Sequence, residues 1–297
     1  MTTPLPPFLA NTTTVPAPGG RTLTLYTAGD AASSDVVLLE SGLGQGAAYW
    51  GAVADAVVAS APGLRVVGYD RAGYGSSSPP ADDRSLHAMA GDLSAVIDSL
   101  EARRLVLVGH SWGGAIARTY AASSSSTPLH GLVLVDHSDE HCAFYFSTGM
   151  TWAFWLQSWL YQPLAATGVL GFMMRRGFKG LPAAYASRSV ADSTTAAAAR
   201  AGALEVSQVA GLKGLIDHPP QLGDTPVVVI SAADGPGPHK EGSTRALLAA
   251  AHKETVASVA NGTFVLAEKS GHIVPADEPG LVAGHIVGLF KGRPNAD

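Results

Sequence analysis

Cysteine and charge are both scarce in this chain of 297 residues. Its single cysteine, Cys142, excludes an intramolecular disulfide. Only 14% of the residues are charged and the net charge is −5, which argues against the basic surface of a nucleic-acid-binding protein. No basic residue precedes Arg21, so the N-terminus lacks the charged region of a signal peptide. With 46% hydrophobic residues the chain is too apolar to be disordered, and we expect a folded cytoplasmic protein.

Charge is entirely missing from one internal stretch. From His141 to Met174 there is no Asp, Glu, Lys or Arg, a run longer than the about 18 residues of a membrane span. Polar residues and Pro163 interrupt it, and it lies between segments that we predict to share one sheet. A single crossing would put the two halves of that sheet on opposite sides of a bilayer, so we interpret the stretch as a buried or pocket-lining pair of helices. The basic residues that follow suggest a weak contact with a membrane or lipid: Arg175, Arg176 and Lys179.

Short, continuous apolar runs recur along the rest of the chain. Such runs are typical of strands that are covered on both faces, as in a parallel sheet. They occupy residues 36–39, 65–69, 105–108, 132–135, 227–230 and 264–266, after an alternating strand at 22–26. Helix-length amphipathic segments separate several of them, at 49–60, 85–100, 244–260 and 279–289. This alternation predicts an α/β fold, a mostly parallel open sheet with helices on both faces.

The pattern also indicates how the chain is divided. Residues 1–20 are rich in proline and are predicted to form an extended arm. Residues 21–138 and 223–297 are predicted to form the α/β core. The segment 139–222 breaks the strand–helix alternation and is aromatic and then alanine-rich. We interpret it as a mostly helical cap on the carboxyl edge of the sheet, where open α/β folds bind their ligands.

A candidate nucleophile lies between the strand 105–108 and the helix predicted at 115–122. The motif there is Gly109-His110-Ser111-Trp112-Gly113. A strand that turns sharply into a helix strains the residue at the apex, and glycines on both sides let the two backbones approach each other. We expect Ser111 to present its hydroxyl above the sheet edge, beside backbone N–H groups that favour a developing negative charge.

Four motifs in order resemble the α/β-hydrolase family, in the branch that has a cap after the sixth strand. They are Glu40–Gln45, Tyr69–Ser76, the serine motif at residues 109–113, and Ser270–Pro275, and the resemblance covers nearly the whole chain. It implies the fold and serine-type chemistry but no particular substrate. Family members that use an aspartate nucleophile, such as epoxide hydrolases, are disfavoured because position 111 is serine.

A serine hydroxyl needs a base to take its proton, and His272 is the candidate. It follows the predicted strand 264–266 and precedes the helix that begins at Pro279, so it lies on a loop at the same sheet edge as Ser111. His110 is adjacent to the nucleophile, and we expect its side chain to point away from the hydroxyl.

The carboxylate that orients the base has two candidates. Asp234 and Asp136 each follow the end of a predicted strand, and both satisfy the chain order serine, acid, histidine. The family most often places the acid after the seventh strand, which favours Asp234. Asp136 matches a minority arrangement and stays the alternative.

Acyl transfer also needs donors for the oxyanion. The elbow geometry assigns one to the backbone amide of Trp112, and the loop after the third strand supplies the other, most simply the amide of Leu43. The family usually has His-Gly in that loop, and this chain has Ser41-Gly42. The family role of Arg71 is scaffolding, through a pair with a carboxylate.

The segment from Asp136 to Cys142 contains several residues of metal-ligand type, including His137 and His141. No second ligand cluster accompanies them, so we interpret this segment as a hydrated hinge into the cap. The predicted chemistry uses neither a metal nor a cofactor.

These residues predict a serine hydrolase that cleaves an ester, lactone or thioester through an acyl-enzyme. The aromatic cap predicts a hydrophobic small-molecule substrate, and the candidates to bind it are Phe144, Trp152, Trp155 and Trp159. The alternatives are a non-catalytic ligand-binding or receptor protein on the same fold, a cofactor-free perhydrolase or haloperoxidase, and an amidase or peptidase. The oligomeric state stays open.

Overall fold

A computed structural model describes residues 5–123, 127–233 and 242–292 of the chain. Its centre is an eight-stranded sheet in the order β1-β2-β4-β3-β5-β6-β7-β8. The strands are β1 (Thr12–Ala17), β2 (Arg21–Gly29), β3 (Asp35–Glu40), β4 (Arg65–Asp70), β5 (Arg104–His110), β6 (Gly131–Val135), β7 (Val227–Ala232) and β8 (Gly262–Ala267). Strands β4 to β8 and β3 pair in parallel, whereas β2 pairs antiparallel with both β1 and β4. The predicted mostly parallel open sheet is confirmed.

Helices cover both faces of this sheet. In chain order they are α1 (Pro7–Ala10), α2 (Gly51–Ser60), α3 (Leu86–Leu100), α4 (Trp112–Ala121), α5 (Thr148–Ala166), α6 (Val169–Gly177), α7 (Ala183–Ser193), α8 (Ala196–Ser207), α9 (Gly214–Asp217), α10 (Thr244–Ala257), α11 (Val274–Asp277) and α12 (Pro279–Phe290). Alternate residues of one strand serve the two faces: Val37 packs with α2 and α12, and Leu38 packs with α3 and α4. Both faces are therefore apolar, and this explains the continuous apolar runs in the sequence.

The proline-rich segment predicted as an arm lies against the sheet. Strand β1 pairs along its length with β2 at the edge, and the Phe8 side chain of α1 is fully buried in the core. Pro16 is compatible with this position because an edge strand leaves its outer N–H side unpaired.

Five helices, α5 to α9, follow β6 and precede β7, within the segment interpreted as a cap. Helix α5 packs chiefly against α8 and also against α6. The buried Tyr161 of α5 joins Ala199, Ala203 and Val206 of α8 in a small apolar cluster with Leu43 at its edge. The insertion therefore touches the loop after β3. Within the described ranges, no helix combines the length and the apolar composition that a membrane crossing requires.

Candidate active site

Ser111 lies at the apex of a sharp turn between β5 and α4. Its backbone has φ +52° and ψ −121°, a region that non-glycine residues rarely adopt. The backbone packs closely around this turn. A Cβ at Gly113 would overlap the carbonyl oxygens of Glu40 and Ser41, and one at Gly109 would lie 2.7 Å from the carbonyl oxygen of Gly113. The glycines on both sides of the serine are thus required by close backbone packing, as the sequence predicts.

His272 bridges Ser111 to a carboxylate. The Ser111 hydroxyl lies 3.0 Å from Nε2 of His272, and the Nδ1 atom of His272 lies 2.6 Å from Oδ2 of Asp136. The ring is half-exposed and lies on the loop between β8 and α11. With Nδ1–H donating to the carboxylate, Nε2 is free to accept the serine proton. A hydroxyl and an imidazole 161 residues apart therefore meet within hydrogen-bonding distance.

Asp136 is fully buried directly after β6, with φ +39°. Its Oδ1 accepts from the backbone N–H of Ala232 at 3.0 Å, and its Oδ2 accepts from Nη1 of Arg245 at 2.6 Å. Burial alone would raise the pKa of Asp136, but the hydrogen bond from His272 and the charge of Arg245 outweigh it and hold the pKa well below its usual range. The carboxylate stays ionised and keeps the imidazole in one tautomer.

Asp234, favoured as the acid by the family pattern, lies outside the described residues. The carboxylate that the structure places on His272 belongs to Asp136, the alternative. The two positions look equivalent in the sequence because each follows a strand and the strands are neighbours. The interaction with Arg245, 109 residues away in the chain, has no local signal in the sequence.

His110 has a role that sequence analysis missed. Its Nε2–H donates to the backbone carbonyl of His272 at 2.9 Å rather than to the Ser111 hydroxyl. The two imidazole rings also pack together, with centroids 4.8 Å apart. Complete burial, followed by the charge of His272, lowers the pKa of His110 to about 3, so this ring is neutral near pH 7. Its hydrogen bond holds the loop that carries His272.

Two backbone N–H groups next to Ser111 are free for a ligand. Within the described part of the chain, neither the N–H of Leu43 nor that of Trp112 donates a hydrogen bond. The loop of Leu43 passes beside the serine, because a Cβ at Gly42 would lie 3.3 Å from Cβ of Ser111. The N–H of Trp112 belongs to the first turn of α4, where the helix has no carbonyl for it. Both residues are those predicted for the oxyanion hole.

A buried ionic cluster contacts the loop after β3 that contains Leu43. The Arg71 guanidinium donates to the carbonyl oxygens of Ser41 at 2.6 Å and Gly42 at 2.8 Å, and it pairs with the carboxylates of Glu40 and Glu205. The prediction that Arg71 pairs with a carboxylate is therefore confirmed. Arg84 also pairs with Glu205, so two cations face two anions.

Glu205 ties this cluster to the helical insertion, a link that the sequence does not reveal. It lies on α8, and its Oε2 accepts from the backbone N–H of Gly44 at 3.3 Å and from the hydroxyl of Tyr74 at 3.0 Å. Burial raises the pKa of Glu205, but the charges of Arg71 and Arg84 outweigh burial and lower it to about 2. The ionised side chain of an insertion helix thus holds the loop of the candidate oxyanion hole.

The residues of metal-ligand type after β6 form a buried polar cluster. The ligand atoms of His137, Asp139 and His252 lie within 4.8 Å of one another. Asp139 accepts from the Thr255 hydroxyl at 2.6 Å, and His252 contacts the Ser231 hydroxyl at 2.9 Å. Nearby, Arg118 pairs with Glu140 and supplies the positive charge that these carboxylates need. Nδ1 of His137 and Oε2 of Glu140 are buried without a hydrogen-bond partner among the described residues. The cluster is buried, so the prediction of a hydrated segment is wrong, and its role as a hinge stays a prediction.

The aromatic residues predicted to bind substrate are not gathered around Ser111 and His272. Trp152, Trp155 and Trp159 lie on the outer face of α5, where 53–67% of each side chain is exposed, and their rings pack on one another. Phe144 is half-buried against the ring of Tyr145. The aromatic composition of the segment predicts a substrate-binding role for the tryptophans, but it does not reveal which side of the helix turns inward.

The amino-acid sequence of this chain is similar to those of known proteins. The chain matches the alpha/beta hydrolase fold family over residues 35–237. Over 73 residues, 25% of this chain, it is 38% identical to the AB hydrolase superfamily protein YisY of Bacillus subtilis and 37% identical to the bifunctional esterase/perhydrolase DCH of Acinetobacter calcoaceticus. These matches span 27% and 26% of the relatives, only about a quarter of their lengths.

A solved structure extends the likeness to nearly the whole fold. Epoxide hydrolase VrEH1 of Vigna radiata superposes with a TM-score of 0.75 at 16% identity, covering 95% of this chain and 98% of that one. At this identity the superposition shows the fold alone. The family match covers more than half of the chain and includes β3, the serine turn and the helical insertion. The chain therefore belongs to the α/β-hydrolase fold family.

Proposed function

We propose that this protein is a serine hydrolase that cleaves a carboxylic ester of a hydrophobic small molecule. The observation that carries the proposal is the continuous chain of hydrogen bonds from Ser111 through His272 to Asp136. In this arrangement Ser111 is the nucleophile, His272 is the general base and Asp136 is the acid. The amides of Leu43 and Trp112 are the oxyanion donors.

The reaction follows from this geometry in two steps. His272 takes the proton of Ser111 as the oxygen attacks the ester carbonyl, and the amides of Leu43 and Trp112 stabilise the resulting oxyanion. His272 then gives the proton to the leaving alcohol, which leaves an acyl group on Ser111. Water, activated by the same imidazole, attacks the acyl carbonyl, and the carboxylic acid departs with Ser111 restored. A lactone or thioester fits the same scheme.

Epoxide opening, the activity named for the structural neighbour, does not suit a serine at position 111. A carboxylate nucleophile forms an ester with the opened epoxide, and water can attack the carbonyl of that ester. A serine oxygen would instead form an ether, which offers no carbonyl to water or to the oxyanion donors. Ser111 therefore favours substrates that contain a carbonyl group themselves.

Perhydrolysis is a second candidate, favoured by the likeness to the bifunctional esterase/perhydrolase. It would use the same acyl-enzyme, but hydrogen peroxide rather than water would attack the acyl group. The products then differ, since peroxide yields a peracid. Product analysis with and without added peroxide distinguishes the two reactions, and an acid as the only product in both cases excludes perhydrolysis.

The proposal is tested by covalent labelling and by turnover. We expect a fluorophosphonate probe to label the native chain at Ser111 and not to label Ser111→Ala. Steady hydrolysis of p-nitrophenyl esters is expected from the native protein and should be lost in the same variant. A stoichiometric burst without turnover would instead support the ligand-binding alternative, and unchanged labelling of Ser111→Ala would remove Ser111 from the mechanism.

A further inference from the structure

Helix α5 presents an unusual outer surface. Of its 19 residues only Tyr161 is buried, and the helix contains no charged residue. The spacing of Trp152, Trp155 and Trp159 places their side chains on the same face. Soluble monomers rarely expose a contiguous apolar patch this rich in large side chains, and such patches mark interaction surfaces.

Helix α6 packs against α5 and also exposes large apolar side chains. We name as the tryptophan face the exposed large apolar side chains of these two helices, which are Trp152, Trp155, Leu156, Trp159, Leu160, Val169, Phe172 and Met173. The side chains of Phe172 and Met173 are 61% and 56% exposed. Two helices that pack on each other thus both expose large apolar side chains.

Basic residues border this surface. Arg175 and Arg176 lie in the last turn of α6, Lys179 follows the helix, and all three are exposed. The guanidinium of Arg176 lies 5.7 Å from the centre of the Phe172 ring. No Asp or Glu occurs from residue 141 to residue 191, although the whole chain has a net charge of −5. The tryptophan face is therefore apolar with a positive border, on an otherwise acidic protein.

We propose that the tryptophan face docks on the surface of an anionic phospholipid bilayer. Tryptophan suits this environment because its ring is apolar and its indole N–H can reach the headgroups. Basic side chains beside an apolar helical face attract anionic headgroups. The helices would lie in the interface rather than cross it.

The opposite side of the same helix reaches the candidate catalytic site. Tyr161 of α5 packs so closely on Gly44 that a Cβ there would overlap the tyrosine hydroxyl, and Gly44 donates to Glu205 of α8. Docking through the outer face would therefore place a bilayer on one side of α5 and the Leu43 loop on the other. A substrate dissolved in the bilayer would be brought close to the triad. This advantage rests on the proposed function, but docking itself does not depend on it.

Vesicle co-sedimentation of the full chain tests the proposal without reference to activity. We expect the protein to bind vesicles of phosphatidylcholine with 30% phosphatidylglycerol at least tenfold more tightly than pure phosphatidylcholine vesicles. Binding should weaken in high salt, and the tryptophan emission should shift to the blue. No binding to the anionic vesicles would overturn the proposal.

Matched variants assign the binding to this surface. The triple variant W152S/W155S/W159S is expected to lose binding to both kinds of vesicle, while the control I216S/L247S, which changes exposed apolar residues elsewhere, keeps it. The variant R175Q/R176Q/K179Q should lose the preference for anionic vesicles, and R103Q/K253Q/K291Q should keep it, since those residues are exposed but remote in sequence.

Equal vesicle binding by the tryptophan variant and its control would overturn the proposal. So would a second outcome: a native dimer in light scattering that becomes monomeric in W152S/W155S/W159S, with no vesicle binding by either protein. That result would assign the tryptophan face to a second copy of this chain. Fluorophosphonate labelling of Ser111 is measured in all of these variants as well. It reports on the proposed function independently of vesicle binding, so a failure of one proposal can be distinguished from a failure of the other.

Discussion

Arg71 donates a hydrogen bond of 2.8 Å to the carbonyl oxygen of Gly42, and that carbonyl shares a peptide unit with the N–H of Leu43. The peptide bonds of the described chain are all trans, so the C=O and N–H of this unit point in opposite directions. The guanidinium that fixes the carbonyl on one side therefore aims the N–H to the other side. This relationship makes Arg71 a positioning residue for the candidate oxyanion hole.

The first prediction concerns this positioning. Arg71→Lys keeps the positive charge but cannot hold the carbonyl oxygens of Ser41 and Gly42 while pairing with two carboxylates. We expect kcat for a p-nitrophenyl ester to fall about 10- to 100-fold with little change in KM, since loss of one oxyanion donor costs about 10²–10³ in rate. Steady-state kinetics measures the effect.

The matched control for Arg71 is Arg104→Lys. Arg104 also pairs with a carboxylate, that of Asp35, but at the opposite end of the sheet strands from Ser111. Its replacement is expected to leave kcat within twofold of the native value. If Arg71→Lys lowers the melting temperature and leaves kcat unchanged, Arg71 is purely structural.

The second prediction decides between the two candidate acids. Asp136→Asn removes the charge that stabilises the imidazolium of His272 and lets the wrong tautomer form, so kcat should fall by about 10⁴. Asp234→Asn is expected to reduce kcat less than tenfold. Parallel measurement of the two variants with one ester checks both values. The reverse ranking would return the role to Asp234 and would contradict the geometry at His272.

The contrast between these two aspartates shows where sequence reasoning stops. Strands are recognisable because both faces of the sheet are apolar, and Ser111 is recognisable because its turn needs the flanking glycines. The acid is not recognisable from the sequence, because an aspartate follows each of two neighbouring strands. Only the distance of each carboxylate from His272 in the folded chain can distinguish them. Glu205 is harder still: it lies 134 residues from Arg71 on a helix whose alanine-rich sequence carries no sign of the pair.

The third prediction tests the close packing of the serine turn. Gly113→Ala places a Cβ against the backbone carbonyls of Glu40 and Ser41, which cannot move aside as a flexible side chain would. We expect a loss of about 1–3 kcal/mol in the free energy of unfolding, together with lower activity. Denaturant titration measures the stability.

A second glycine provides the control for this substitution. Gly91 lies in the middle of α3, and a Cβ there would meet nothing within 4 Å. Gly91→Ala should therefore stabilise the protein by about 0.5–1 kcal/mol, because alanine costs less conformational entropy in a helix. A Gly113→Ala variant that gains as much stability as Gly91→Ala would mean that the turn tolerates a side chain and that glycine is not required there.

The fourth prediction concerns His252, which packs on the ring of His137 behind Asp136. Burial, followed by the charge of His137, lowers the pKa of His252 from 6.5 to about 4. The unfolded chain therefore binds a proton between these values while the folded chain does not, so stability is complete above pH 6.5 and falls as the pH drops towards 4. His252 alone contributes a slope of up to about 1.4 kcal/mol per pH unit in this window.

Replacing the titrating ring isolates its contribution. In the native protein the imidazole of His252 donates to the carbonyl oxygen of His137 at 3.0 Å. His252→Gln keeps a donor for this oxygen but has no group that titrates in this window. Denaturant titrations between pH 4 and 7 should show a shallower loss of stability in the variant. In the native protein, NMR should find the His252 ring neutral at pH 5. A ring that titrates near pH 6.5, or a variant with the native slope, would show that burial at this position does not exclude the proton.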